Sequence, residues 1–311
     1  KIFYVSPYSS FGSAETFIQQ TFRYKSAEFE NHYLLFQTGP LGAALEKQGA
    51  KVFYLNSPPE IKNLKDRVLV GKKIKQLINE HSYKLVHSTT STGALFAART
   101  CKMMGVRHVW FQHGPVEGWK DRMAALLPHQ GLIVNSHYTA QRQRALENPL
   151  RFFIPRKIPI EKILLGTDEV DHSKEEVTKF REELSDRWQF PTSDILVSMI
   201  CRLEKQKGIH ILLDSIRQLL AMNGARGFRV LIWGENRDSE YLENLKNQAQ
   251  EESLPFLFVG PCESPSLALS ASDIVVNAST QPESFGLTII EGMMAGSVPV
   301  VPNEGGPVEI V

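Results

Sequence analysis

Short apolar runs alternate with longer stretches of helical periodicity along almost the whole chain. In the first half the strand-sized runs are Ile2–Val5, His32–Gln37, Lys51–Leu55, Lys84–His87, His108–Gln112, Gly131–Asn135 and Lys162–Leu165. Helical candidates fall between them. One is Lys65–His81, with Val68, Leu69, Ile74, Leu77 and Ile78 on a single stripe; another is Thr92–Met104. Such βαβα alternation predicts a parallel sheet covered by helices. The alternation restarts at Asp194, with strands at Ile195–Cys201, Arg229–Gly234, Phe256–Val259, Asp273–Asn277 and Val298–Val301. Their helices are expected at Ile209–Met222, Ser239–Glu252 and Ser284–Ala295. The pattern therefore predicts two Rossmann-like, doubly wound α/β domains, 1–170 and 194–311, facing a cleft, with the charged and polar stretch 171–193, which has one helical segment, as a linker region.

Composition narrows the class without naming a function. A chain of 311 residues suits two domains, and 42% hydrophobic with 22% charged residues is ordinary for a globular protein. A net charge of +1 gives no global attraction to nucleic acid or membrane, although a local basic patch is compatible with it. Lys1–Val5 is too short, and too soon broken by Ser6-Pro7, to read as a secretory signal. Three widely spaced cysteines, Cys101, Cys201 and Cys262, fit a reducing cytosol better than a disulfide framework, so a cytoplasmic location is expected. No Cys/His spacing resembles a zinc site.

The candidate chemistry sits where strands end. Glu283 and Glu291 are eight positions apart in Pro282-Glu283-Ser284-Phe285-Gly286-Leu287, after the strand Ile274–Val276. Strand, polar turn and helix in that order put Glu283 at the carboxyl edge of a sheet, where open α/β sheets bind ligands. Ser284, Phe285, Gly286 and Leu287 are expected to present the N–H groups of a helix start to an anion or hydroxyl. Arg202, at the end of another strand, and Lys207, five residues on, can both reach an anion at the next helix start. Ser9-Ser10-Phe11-Gly12-Ser13-Ala14-Glu15 is a polar turn in which Gly12 allows close backbone approach. His113 ends the run Val109–Gln112. Each of these segments can equally be a capped turn, a solvated charge run or a satisfied loop histidine.

Together they resemble the retaining, nucleotide-sugar-dependent glycosyltransferases of family 4 (glycosyl transferases group 1), which have the two-domain GT-B fold. That family's signature is two glutamates with seven residues between them around Phe-Gly-Leu, as in Glu283, Phe285-Gly286-Leu287 and Glu291. The resemblance implies that Arg202 and Lys207 hold a donor diphosphate and that Gly12 lines the phosphate-facing loop. It implies sugar hydroxyls on Glu283, ribose hydroxyls on Glu291 and transferred-sugar contacts at His113. Gly305, Gly306 and Glu309 resemble the family's closing Gly-Gly…Glu element. Ser13 and Cys201 stand where the family usually has glycine. Family members also continue past Val311, ending in a helix that returns to the first domain, so C-terminal elements are expected to be missing.

The partners implied are a nucleotide sugar, UDP-sugar first and GDP-mannose second, and a glycan, lipid-linked or small-molecule acceptor near Phe111–Trp119. Nucleic acid is not expected, and peripheral membrane association is compatible with the reading. With no Asp-x-Asp in the chain, protein cations are expected to replace a metal, and no cofactor is required. Polysaccharide assembly is the family-level expectation. The rival readings are a degenerate nucleotide-sugar-binding subunit and a nucleotide-sugar epimerase on the same fold. An NAD oxidoreductase lacks its Gly-x-Gly-x-x-Gly.

Overall fold

The computed structural model describes residues 1–7, 9, 13–55, 57–116, 118–150, 158–223 and 227–311. They form two compact units, Lys1–Leu165 and Gly166–Val311. The first unit runs β1 (Ile2–Ser6), α1 (Ser13–Arg23), β2 (Asn31–Leu35), α2 (Pro40–Lys47), β3 (Lys51–Tyr54), α3 (Leu64–His81) and β4 (Leu85–Ser88). It continues with α4 (Ser91–Met104), β5 (Arg107–Gln112), α5 (Gly118–Ala125), β6 (Gly131–Val134), α6 (His137–Glu147) and β7 (Ile160–Lys162).

All strand pairs of this sheet are parallel, in the order β3-β2-β1-β4-β5-β6-β7. The chain moves outward from β1 to β3, then returns to place β4 on the other side of β1. Alternate residues therefore serve opposite helix layers. Phe3 and Val5 pack with Val70, Ile74 and Leu77 of α3 and Phe96 of α4. Tyr4 instead joins Ile18 of α1 and Leu41 and Leu45 of α2.

The second unit runs α7 (Lys174–Trp188), β8 (Ile195–Ile200), α8 (Ile209–Asn223), β9 (Phe228–Trp233), α9 (Ser239–Glu251) and β10 (Phe256–Gly260). Then come α10 (Pro265–Ser270), β11 (Ile274–Val276), α11 (Leu287–Met294) and β12 (Val298–Val300). Its parallel sheet has the order β10-β9-β8-β11-β12. Val197 and Met199 face Ile209, Leu213 and Ile216 of α8 and Leu245 of α9, while Leu196 faces Leu184 of α7 and Ala268 of α10. Among the described residues no helix is long and apolar enough to cross a membrane.

Three expectations are corrected here. The stretch 171–193 is not a free linker. Ser173 and Glu176 form a reciprocal capping box at the start of α7. Leu184 and Phe190 bury against the second sheet, and Arg181 donates to the carbonyls of Thr192, Ala271 and Asp194 and to the Asp273 carboxylate. The last strand of the first unit is Ile160–Lys162 rather than Lys162–Leu165, because pairing with β6 begins where Leu132 N–H donates to the Pro159 carbonyl. On α3, Val68 and Leu69 are exposed and Val70 joins Ile74, Leu77 and Ile78 in the buried stripe.

Candidate active site

In the second sheet the chain reverses direction between β8 and β11, which are hydrogen-bonded neighbours. The loops after these two strands leave the same sheet edge, at the place where open α/β sheets form a ligand crevice. They are tied together: the Thr280 N–H and hydroxyl both donate to the Gln206 carbonyl, at 2.9 and 3.2 Å. Gly208 makes this approach possible. Its φ is +74°, and a Cβ there would stand 1.8 Å from the Ala278 carbonyl oxygen, so no other residue fits without moving the backbone.

This tie brings Lys207 onto Glu283. The Lys207 ammonium donates to Glu283 Oε1, which also accepts from the Ser279 hydroxyl at 2.8 Å. Asn277 Nδ2 donates to Oε2 at 2.9 Å. Both partners of the ion pair are largely buried, with 23% and 22% of their side-chain surfaces exposed. Burial pushes the Glu283 carboxyl up, but the Lys207 charge and the three hydrogen bonds outweigh it and hold the group below its ordinary value. Glu283 is an ionised, oriented acceptor.

The backbone of its loop is braced from the far side. Gly306 N–H donates to the Glu283 carbonyl at 2.8 Å. Gly305, at φ +87°, leaves room for that strand of backbone, since a Cβ would lie 2.7 Å from the same oxygen. The Gly-Gly pair noted in the sequence thus supports Glu283, while Glu309 ends the short 3₁₀ turn Gly306–Glu309.

The remaining charged residues are deployed separately. Arg202 is 61% exposed and pairs with Glu204 at 3.0 Å rather than with Lys207's partner. Arg202, Glu204, Lys207 and Glu283 all act on the Cys201 thiol, which burial pushes up to about 12. Glu291, on α11, is half-buried; burial first, then the Asp168 charge, raises its carboxyl to about 7. The two glutamates of the motif therefore differ in protonation: Glu283 is committed to its charge, and Glu291 titrates near neutrality.

The helix start after Glu283 is later than expected. α11 begins at Leu287, with Gly286 as its N-cap at φ +106°. Ser284 and Phe285 precede it, because a left-handed residue at 286 ends helical propagation toward the N-terminus. The amides available at the helix mouth start with Leu287 and Thr288, and the Phe285 ring is buried.

In the first unit His113 follows β5 and is buried. Its ring lies 3.8 Å from that of Phe111 and 4.8 Å from that of Phe17, centre to centre. The Asn135 amide donates to its carbonyl at 3.0 Å. Burial, reinforced by His87, lowers its pKa to about 3, so the imidazole is neutral. Gly12 and its neighbours Ser10 and Phe11 lie outside the described residues.

Sequence reasoning missed Asn277 and Ser279, which orient Glu283, and Asp168, which faces Glu291. The first two were legible only as short polar residues following a strand. Asp168 is distant in sequence and carried no signal. Among the described residues no group of three His, Cys, Asp or Glu side chains is placed to hold a metal ion.

Residues 180–311, within the second unit, match the family described as Glycosyl transferases group 1. No curated protein matches the sequence. Among solved structures, HepE from Anabaena in complex with UDP and glucose is similar over 100% of this chain and 82% of its own, at 22% identity and a TM-score of 0.83. A glycosyltransferase from Rickettsia africae matches 100% of this chain and 81% of its own, at 21% identity and a TM-score of 0.81. The catalytic domain of starch synthase IV from Arabidopsis thaliana, bound to ADP and acarbose, matches 100% and 84% at 14% identity and a TM-score of 0.69. At these identities the likeness establishes the fold: two parallel-sheet, Rossmann-like domains of the GT-B type.

Proposed function

We propose that the protein is a retaining family 4 glycosyltransferase that moves a hexosyl group from a nucleoside diphosphate sugar to a glycan, lipid-linked or small-molecule acceptor. A UDP-sugar is the favoured donor and GDP-mannose the alternative. The observation that carries this reading is the buried Lys207–Glu283 pair at the switch point of the second sheet. It supplies one cation for a diphosphate and one oriented carboxylate for sugar hydroxyls within a single constellation. HepE, a structural neighbour, is seen with UDP and with UDP-glucose, which supports a uridine donor.

In this mechanism negative charge builds on the nucleoside diphosphate as the glycosidic bond breaks. Lys207, Arg202 turning from Glu204, and the amides at the start of α11 stabilise that charge. Glu283 accepts from sugar hydroxyls and fixes the hexose, a positioning role rather than proton transfer. Glu291 accepts from ribose hydroxyls. Neutral His113 is assigned to sugar orientation, since an uncharged imidazole can both donate and accept. Departure and attack on one face account for retention without a glutamate nucleophile. Protein cations take the role of a metal, and no cofactor enters. A cytoplasmic location, with peripheral attachment to the inner face of a membrane, fits a polysaccharide-assembly role.

The test is calorimetry with UDP, GDP and ADP, followed by transfer assays with the sugars of whichever nucleotide binds. Tight binding of one diphosphate and a product of retained anomeric configuration by NMR are expected, with activity persisting in EDTA. Absence of nucleotide binding overturns the reading, and an inverted product overturns its stereochemical part.

A further inference from the structure

Helix α3 is apolar on two sides. Its inward stripe, Val70, Ile74, Leu77 and Ile78, is buried. Its outward face begins with Leu64, Val68 and Leu69, which are 71%, 49% and 62% exposed. Exposed Lys62, Lys65, Lys72 and Lys75 surround these three, with Arg67 and Lys73 half-buried beside them. Residues 60–75 hold six basic side chains against Glu60 and Asp66, an excess of four charges in a chain whose total is +1. Asp66 is turned back on the helix start, where its carboxylate accepts from the Glu60 N–H at 2.8 Å.

A second helix repeats the arrangement. On α5 and just past its end, Trp119, Met123 and Leu126 are exposed at helical spacing, flanked by exposed Lys120 and Arg122. The acid of that helix, Asp121, is buried and accepts from Gln112 Nε2 at 3.2 Å. The strand order puts α3, α4 and α5 in one layer, and α4 packs against both of the others. Both α3 and α5 run back from the carboxyl edge of a parallel sheet, so their apolar starts lie at the same edge of the layer.

We propose that this α3–α5 face docks on an anionic phospholipid bilayer. A helical face whose apolar side chains stand among lysines, with Asp121 buried and Asp66 tied to the Glu60 amide, suits a lipid surface. The apolar tips enter the acyl boundary while the ammonium groups meet phosphates. Lysine stems extend along apolar surface and keep their charges in the headgroup layer, and tryptophan is at home at that depth. Each basic residue near an anionic leaflet contributes about 1 kcal/mol, roughly fivefold in affinity. The inference is independent of the donor assignment, because the face contains none of the residues assigned to the nucleotide.

The experiment is co-sedimentation of the full chain with phosphatidylcholine vesicles, with and without phosphatidylglycerol, in the absence of nucleotide. Binding is expected only with the anionic lipid and should weaken in high salt. The double variant Lys65→Ala/Lys72→Ala should bind about 25-fold more weakly, by two such fivefold steps. Leu64→Ser/Leu69→Ser should lose binding at both salt levels, and Lys246→Ala in the second unit should bind as the parent does. Unaltered circular dichroism and nucleotide affinity in each variant separate a docking defect from misfolding. No binding to anionic vesicles, equal binding to neutral ones, or unaffected α3 variants overturns the proposal. So does a solution dimer abolished by Leu64→Ser/Leu69→Ser, which would assign the face to a second copy of the chain.

Discussion

The two units share a winding and differ in what they place at the reversal of the sheet. In the first, the described residues around β1, β4 and β5 include a cluster of aromatic rings and buried neutral imidazoles. His87 lies against Tyr4, Phe17 and Phe111, and His113 against Phe17 and Phe111. Burial lowers His87 to about 4 and, with His87's help, His113 to about 3. In the second, the same position in the fold holds a partly solvated set of charges, Arg202, Glu204, Lys207 and Glu283, tied by backbone contacts. One architecture thus supports an uncharged, buried ring cluster in one unit and an ionic constellation in the other. The difference comes from the side chains that strands, helix and loops carry, not from the winding of the sheet.

The largest expected break of this contrast comes from Gly208→Ala. The added methyl meets the Ala278 carbonyl in a left-handed residue, so overpacking and backbone strain together should cost about 3–5 kcal/mol. Gly105 has a similar φ of +66° but open space around it, so Gly105→Ala in the first unit should cost only about 1–2 kcal/mol. Urea unfolding of both variants measures the gap, and equal losses would refute the close approach.

Next comes Lys207→Ala. It removes the cation from a buried carboxylate, and diphosphate affinity should fall by about 2–5 kcal/mol. Arg202→Ala breaks an exposed pair and should change stability by less than about 1 kcal/mol. Calorimetry together with melting curves separates the two. A smaller affinity loss for Lys207→Ala than for Arg202→Ala would reverse their ranking.

Glu283→Gln should lower kcat by one to three orders of magnitude, about 1.4–4 kcal/mol, while diphosphate affinity does not weaken, because Lys207 is released from its counter-charge. Wild-type turnover on an established donor would remove Glu283 from the mechanism.

The smallest effect is a pair of opposed pH slopes. His87 and His113 have folded pKa values below the unfolded one, so their contribution is present above about 6.5 and lost as pH falls through the folded values near 4 and 3. Glu291 has a raised value, so its contribution is present below about 4.5 and lost as pH rises through about 7. Between about pH 5 and 6.5 these groups should make the first unit gain stability with rising pH and the second lose it. Peptide-resolved hydrogen exchange reads each unit separately, and Glu291→Gln should flatten the second slope alone.

The alternation of apolar runs was enough to place nearly every strand, because the central ones are buried on both faces and read as continuous hydrophobic runs. It misplaced Val68 and Leu69, since a helix carrying apolar residues on two sides has no single stripe to find. It read the helical segment of 171–193 but assigned it to a linker, because α7 is mostly polar and is held to the second unit by Arg181 through carbonyl groups, which composition does not register. At the site, Glu283, Lys207 and Arg202 stood out as strand-end charges. Their pairing did not, because the choice of Lys207 over Arg202 by Glu283 depends on the Gln206–Thr280 tie between loops more than seventy residues apart. The difference between Glu283 and Glu291 was equally hidden, since it arises from burial and from a distant aspartate.

The brace of Gly305 and Gly306 behind Glu283 also bears on the order of folding. The backbone carrying that carboxylate is braced only after the chain has passed through α11 and β12 and come back to touch the Glu283 loop. Loop closure of this kind follows the docking of the elements it spans. In stopped-flow refolding, far-ultraviolet helix signal should therefore return before nucleotide capture does, and the delay should lengthen when Gly305 is replaced by alanine.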